Sequence, residues 1–247
     1  MPVFGIPIEG GDIREVRAGF EKSSGRFWIV TVNPEILLEA RKKPSYAETL
    51  RVADYRMIDG FGLFLFNKYV LRRKCSRVTG VALSEWLLEE ASRRGWRVGI
   101  LGGGKAYPDS VEKAEAYIKR KFPRLDVSAE QVGEMSELGE DGGQGGAMRA
   151  RMQTFDPEVL LVGFGHPKQE RWIERYAHAF SHLKVIVGVG GTLDFWAGNV
   201  KRAPGWMRHI GLEWLWRLLQ EPKRFKRIVR AVCLFPVLAV VDMFRVK

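Results

Sequence analysis

Two cysteines in 247 residues, Cys75 and Cys233, stand far apart and outside any CxxC pattern. Neither a disulfide framework nor a cysteine metal site is supported, and a reducing cytoplasm fits best. The four histidines form no cluster and no DxD carboxylate pair occurs, so no Mg or Zn site is expected, and no cofactor. No apolar run approaches the roughly 20 residues a membrane-spanning helix needs. The longest near the C-terminal end, Ala231 to Val241, is broken by Pro236 and suits lying on a bilayer better than crossing it. The first residues lack a basic segment followed by an apolar core and a small-residue cleavage site, so secretion is not expected. Dinucleotide and P-loop fingerprints are missing too. Gly102-Gly103-Gly104-Lys105 and Gly188-Val189-Gly190-Gly191 both lack the third spaced glycine, and Lys105 completes no Walker A sequence. A Rossmann oxidoreductase and a P-loop NTPase are disfavoured.

What the chain has is positive charge, and most of it lies at one end. Of a net +11, residues Lys201 to Lys247 supply eleven Lys and Arg against three Asp and Glu. Such polarisation points to an anionic membrane surface and away from nucleic acid, whose binders more often spread positive charge over the core. With 46% hydrophobic residues the chain can bury a full core. We expect an α/β catalytic core over 1–200, a basic amphipathic appendage over 201–247, and room for a homo-oligomer.

Apolar, β-branched segments at Phe27 to Val32, Val98 to Leu101, Val159 to Val162 and Val185 to Val189 alternate with helical patterns. The helices are expected over Pro34 to Lys42, Val81 to Arg94, Ser110 to Lys121 and Lys168 to Phe180. This alternation predicts a Rossmann-like, mainly parallel sheet flanked by helices, with ligands beyond the carboxyl ends of the strands. Gly133 to Gly146, carrying six glycines, reads as a flexible surface insertion. Pro222 to Val232 reads as a basic amphipathic helix, with Phe225, Ile228, Val229 and Val232 on one face and Lys223, Lys226, Arg227 and Arg230 on the other. It suits a membrane surface, and Pro222 fits its first turn.

Polar and glycine residues collect where strands end. Thr31 and Asn33 leave the first strand, and Asn33 is a natural N-cap ahead of Pro34. Gly102, Gly103 and Gly104 follow the next; Gly163, Gly165, Lys168 and Gln169 follow the third; Gly190, Gly191 and Thr192 follow the last. Amides in such loops can hold a diphosphate, although a purely steric use of glycine is the plainer reading. Asp59 lies among apolar residues in MIDGFGLFLF, a setting that raises a carboxyl pKa and fits a general base; from this motif alone an Asp-Gly turn is the better reading. Arg217, Arg224 and Arg227 are candidates to meet a leaving diphosphate, or they form a solvated basic face.

Taken together, TVNPEILLEA, ADYRMIDGFGL, RVTGVALSEWL, VGILGGGK, PEVLLVGFGHPKQERWI and VGVGGTLDFWAGNVKRAPGWMRHIGLEWLWRLLQEPKRFKR resemble the WecG/TagA/CpsF family of bacterial glycosyltransferases over almost the whole chain. The resemblance implies metal-independent, inverting transfer of a sugar, of the N-acetylmannosamine type or a related hexose, from a UDP-sugar donor. The acceptor it implies is a sugar linked to polyprenyl (undecaprenyl) diphosphate, at the cytoplasmic face of the bacterial membrane. It puts the family's base on Asp59, supporting polar residues on Thr31, Asn33 and Gln169, a core arginine on Arg77, and C-terminal arginines on Arg217, Arg224 and Arg227. One position departs: Ala82 stands where the family often carries an acid in Arg-x-x-Gly-x-Asp. A non-catalytic peripheral membrane protein that binds a nucleotide sugar is the alternative.

Overall fold

The structure, a computed structural model, describes residues 2–103, 107–132 and 135–245. Six strands form one sheet: β1 Phe27–Val32, β2 Tyr55–Ile58, β3 Val98–Gly102, β4 Val127–Gln131, β5 Val159–Gly163 and β6 Val185–Gly188. Their order is β2-β1-β6-β5-β3-β4, and every pairing is parallel. All carboxyl ends therefore open on one edge. β1, β3 and β6 are buried along their whole length, as apolar strands covered by helices on both faces must be.

One face carries helices Ile13–Lys22, Gly80–Arg94, Ser110–Lys121 and Thr192–Trp196; the other carries Pro34–Lys42, Pro44–Arg51, Gly142–Phe155 and Lys168–Tyr176. β1 divides its side chains between the two cores, Trp28, Val30 and Val32 against Phe27 and Ile29. The α/β architecture and its four expected strands are present. Two further strands carried no apolar pattern. β2 holds Arg56 at its centre, buried because the carbonyls of Leu50, Arg51 and Ala53 and the Glu9 carboxylate accept from its guanidinium. β4, VSAEQ, is a polar edge strand with only Val127 buried.

Two expectations need correction. From Gly142 the glycine-rich segment is not an irregular insertion but the start of a fourteen-residue helix. Met148 and Met152 anchor it in the core, and a methyl group on Gly145 would lie 2.5 Å from Asp141 Cβ, so a close approach requires the small residue there. Gly133, Gly104 and Lys105 lie outside the described residues. Pro236 does not break the C-terminal run either. Pro222–Arg224, Phe225–Val229, Arg230–Leu234 and Phe235–Arg245 follow without interruption, with a widened π-type turn at Arg230–Leu234 just ahead of the proline. Proline offers no N–H to the preceding turn and crowds its carbonyl, and a wider turn absorbs both defects.

The tail packs on the core through fewer residues than its pattern implied. Phe235 is fully buried, its ring 6.0 Å from Phe4 and 5.8 Å from Phe66, and Ile228 and Ala239 are buried as well. Phe225, Val229 and Val232, expected to share a face with Ile228, are exposed. Among the described residues no helix is long and apolar enough to cross a membrane.

Candidate active site

Asp59 is held by backbone. Its N–H donates to Val32 O at 2.9 Å, extending the β1–β2 ladder by one residue, and Val78 N–H donates to Ile58 O at 2.9 Å from the far side. Gly60 follows for a steric reason, since a methyl group there would lie 2.5 Å from Pro34 Cδ. The Asp-Gly pair is thus a strand exit, with its carboxylate directed at the start of helix Gly80–Arg94.

Three oxygens converge at that helix start. A methyl group placed on Gly80 would lie 3.6 Å from Thr192 Oγ1 and 3.7 Å from both Asp59 Oδ2 and Thr31 Oγ1. The carboxyl ends of β1 and β2 and the turn after β6 are brought together here. Thr31 Oγ1 donates to Gly188 O at 3.2 Å, which fixes its rotamer. Protein crowds the Asp59 carboxyl while one edge stays open to solvent, and this burial pushes its pKa up to about 6. The Gly80 N–H opposes the shift, Glu213 adds to it, and Arg77 and Arg217 oppose it.

Gln169 and Asn33 do different work from Asp59. The Asn33 side chain accepts from Glu35 N–H and Ile36 N–H at 2.9 and 3.0 Å, capping helix Pro34–Lys42. Gln169 is buried; its Oε1 accepts from Gly165 N–H and Gly190 N–H, both at 3.1 Å, and its Nε2 donates to Glu170 at 2.7 Å. It cross-braces the loops after β5 and β6. The positive φ of Gly165 and Gly190 turns their amides onto it, and Thr192 N–H donates to Val189 O. These three amides are spent inside the protein, so they do not supply the phosphate cradle expected of them. Methyl groups on Gly102, Gly103 and Gly163 would come within 2.0 to 2.5 Å of Val111, Val132 O and Leu193, which accounts for those glycines by packing. Lys168 begins helix Lys168–Tyr176, half-buried.

Anion-binding capacity lies instead in the tail. Helix Glu213–Gln220 lays Arg217 across Gly191, where a methyl group would meet its Nη2 at 2.6 Å, and over the Phe195 ring at 5.1 Å. Arg217 Nε donates to Glu221 Oε2 at 2.9 Å, and Arg224 Nε forms an ion pair with the same oxygen at 2.9 Å. Two guanidiniums therefore share one carboxylate, and Arg217 Nη2 is buried with no hydrogen-bond partner. Burial and the neighbouring Arg217 both disfavour the charge on Arg224. That unused donor can take a further anion. Arg77 ties the tail down, its Nη2 donating to Arg208 O at 3.3 Å and its guanidinium 5.6 Å from the Phe61 ring centre. Arg227 stands apart from Arg217 and Arg224 in its pairing: it donates to Glu35 at 2.9 Å, beside His166.

The profile of the Glycosyl transferase WecG/TagA/CpsF family matches residues 1–247. The chain belongs to that family. It is accordingly a glycosyltransferase, and the resemblance read from its motifs holds over its full length. Curated relatives include the N-acetylglucosaminyldiphosphoundecaprenol N-acetyl-beta-D-mannosaminyltransferases of Bacillus spizizenii, 33% identical over 85% of this chain and 77% of its relative, and of Bacillus subtilis, 30% identical over 81% and 74%. The Staphylococcus aureus MW2 enzyme of the same name is 31% identical over 84% and 77%.

Within this glycosyltransferase, sequence reasoning overlooked three acids. Glu213 faces Asp59, and Glu221 organises both arginines. Their spacing carried a sign of it, because Glu213, Arg217 and Glu221 recur every four residues along one helix stripe. Asp194 was overlooked as well; Ser110 Oγ donates to it at 2.9 Å beside the arginine cluster, and burial raises its pKa.

Proposed function

We propose that this glycosyltransferase moves an N-acetylmannosamine-type sugar from a UDP donor to a sugar on undecaprenyl diphosphate, with inversion. The activity of the relatives supports an N-acetylglucosamine-bearing acceptor. Asp59 takes the proton of the acceptor hydroxyl. The acceptor oxygen then bonds to the anomeric carbon as the bond to UDP breaks, and UDP leaves with that electron pair from the opposite face. One displacement gives one inversion.

The observation that carries this reading is the pairing of Asp59, raised to about 6 and flanked by Thr31 and Thr192, with an arginine cluster in which Arg217 Nη2 has no hydrogen-bond partner. A carboxylate poised near neutrality is suited to proton abstraction. Arg217 and Arg224 meet the UDP diphosphate as charge develops on it, with Arg77 and Arg227 securing the tail around them. Gln169 and Asn33 act as positioning residues that hold the loops and helix around the cleft. Lys168 and the turn at Gly190, Gly191 and Thr192 form its wall. The exposed Phe225, Val229 and Val232, interleaved with Lys223, Lys226 and Arg230, rest on the anionic cytoplasmic leaflet and bring the cleft to its lipid-linked acceptor.

The test is a panel of UDP-sugars offered with a short-chain prenyl-diphosphate N-acetylglucosamine, product mass being read directly. A disaccharide product from UDP-N-acetylmannosamine is expected. UDP-sugar binding with no transfer to any acceptor would favour the non-catalytic alternative.

A further inference from the structure

Among the described residues seventeen large apolar side chains are exposed, and twelve of them lie between Trp206 and Phe244. Three of the other five, Leu65, Tyr69 and Val70, sit together on the short helical stretch Phe61–Leu65 and Phe66–Val70. Lys68 lies on the same stretch, its ammonium 5.3 Å from the Tyr69 ring centre. The chain then runs on through Arg72, Arg73 and Lys74, with Arg72 and Lys74 exposed. Glu9 lines a cleft with Arg73 and Lys74, but its carboxylate is engaged by Arg56 through both the backbone N–H and the guanidinium. Four cations within seven residues are thus interleaved with an exposed tyrosine and two exposed aliphatics. The near-balance of charge over the first 200 residues conceals this local excess.

The stretch is bracketed by the tail. Phe61 packs so tightly on Gly211 that a methyl group there would come 2.1 Å from its ring, and Phe66 meets Phe235 edge-on at 5.8 Å. Exposed Trp206 and Ile210 flank the first contact; exposed Leu234 and Val237 flank the second. We infer that residues 65–74 are a second lipid-contact element, carried by the core, which joins the C-terminal tail in one docking surface for an anionic bilayer. This rests on the proposal that the tail lies on that bilayer. Cations with no ion pair among the described residues, set among amphipathic and aliphatic side chains, are the chemistry an anionic leaflet recognises. The element continues directly from Asp59-Gly60, so contact at two places fixes how the cleft faces the membrane, where the tail alone would leave it free to tilt.

Co-sedimentation with phosphatidylglycerol/phosphatidylcholine vesicles tests this, comparing K68E/R72E/R73E/K74E with K223E/K226E/R230E. Each set is expected to lower partitioning at least about tenfold, given the attraction of each surface cation to an anionic leaflet. Binding to pure phosphatidylcholine should change little, and the core variant should keep its transfer to a short-chain, water-soluble acceptor. Loss by the tail variant with normal binding by the core variant overturns the inference and leaves the tail proposal standing. Normal binding by both sinks the tail proposal and this inference with it. Hydrogen exchange on the unaltered full chain decides independently of any variant. Slowed exchange over both 65–74 and 222–241 on anionic vesicles supports the inference, and slowing confined to 222–241 overturns it.

Discussion

Replacing Asp59 by Asn should make the enzyme slower and, above pH 6, more stable. The carboxyl is displaced from the usual value near 3.8 to about 6, chiefly by burial. Holding it ionised in the folded state therefore costs about 3 kcal/mol, an upper bound because one edge still meets solvent. The folded protein binds this proton more tightly than the unfolded chain does. Wild type consequently loses stability as pH rises from about 4 to about 6 and has lost the full amount above that. Asn stays neutral throughout and can still accept from Gly80 N–H. In urea melts the stability advantage of Asp59→Asn over wild type should be near zero at pH 4, grow to as much as about 3 kcal/mol by pH 8, and then level off. Turnover should fall roughly 10²- to 10⁴-fold, the usual worth of general-base help. For wild type, kcat/KM should rise with pH through an acidic limb near 6. A variant with near-normal turnover, one less stable than wild type at pH 8, or a wild-type limb well below pH 5 would refute the reasoning.

Glu213→Gln removes a negative neighbour that helps raise Asp59, so the acidic limb of kcat/KM should move to lower pH; a limb that stays put would separate the two carboxylates. Gly191→Ala places a methyl group where Arg217 Nη2 now lies, at 2.6 Å. The flexible guanidinium gives way, so the melting temperature should hold while KM for the UDP-sugar rises about tenfold, the loss of one charge-assisted hydrogen bond. Phe235→Ala empties a fully buried site between Phe4 and Phe66 and should cost about 3–5 kcal/mol, with proteolysis of the tail as a second readout. Gln169→Leu strips the Gly165 and Gly190 amides of their shared acceptor. It should cost about 2–4 kcal/mol by equilibrium unfolding as well as activity, a stability loss Asp59→Asn does not show.

Much of the fold could be read because its strands and helices carry their own patterns. Phe27–Val32 and Val185–Gly188 are largely apolar because helices cover both faces, and Asn33-Pro34 marks a helix start with capping chemistry that acts locally. β2 escaped notice because Arg56 is neutralised by groups distant in sequence, and β4 because an edge strand needs no apolar alternation. The same division runs through the site. Thr31 and Thr192 announce themselves by residue type at strand ends, Asp59 by its apolar setting, and the tail arginines by the charge gathered after residue 200.

Sequence by itself determined the parallel α/β architecture, the family and the placement of polar residues at one sheet edge, since each follows from periodicity, capping or motif within a short span. Tertiary structure alone decided that Gln169 is a brace, that the amides of Gly165, Gly190 and Thr192 are spent, that Arg217 and Arg224 share Glu221, and that Glu213 bears on Asp59. These are outcomes of which partners a side chain or amide meets. Hydrogen bonds, burial and charge coupling act over a few ångströms of space, and the residues they join here are separated by up to 192 positions of chain.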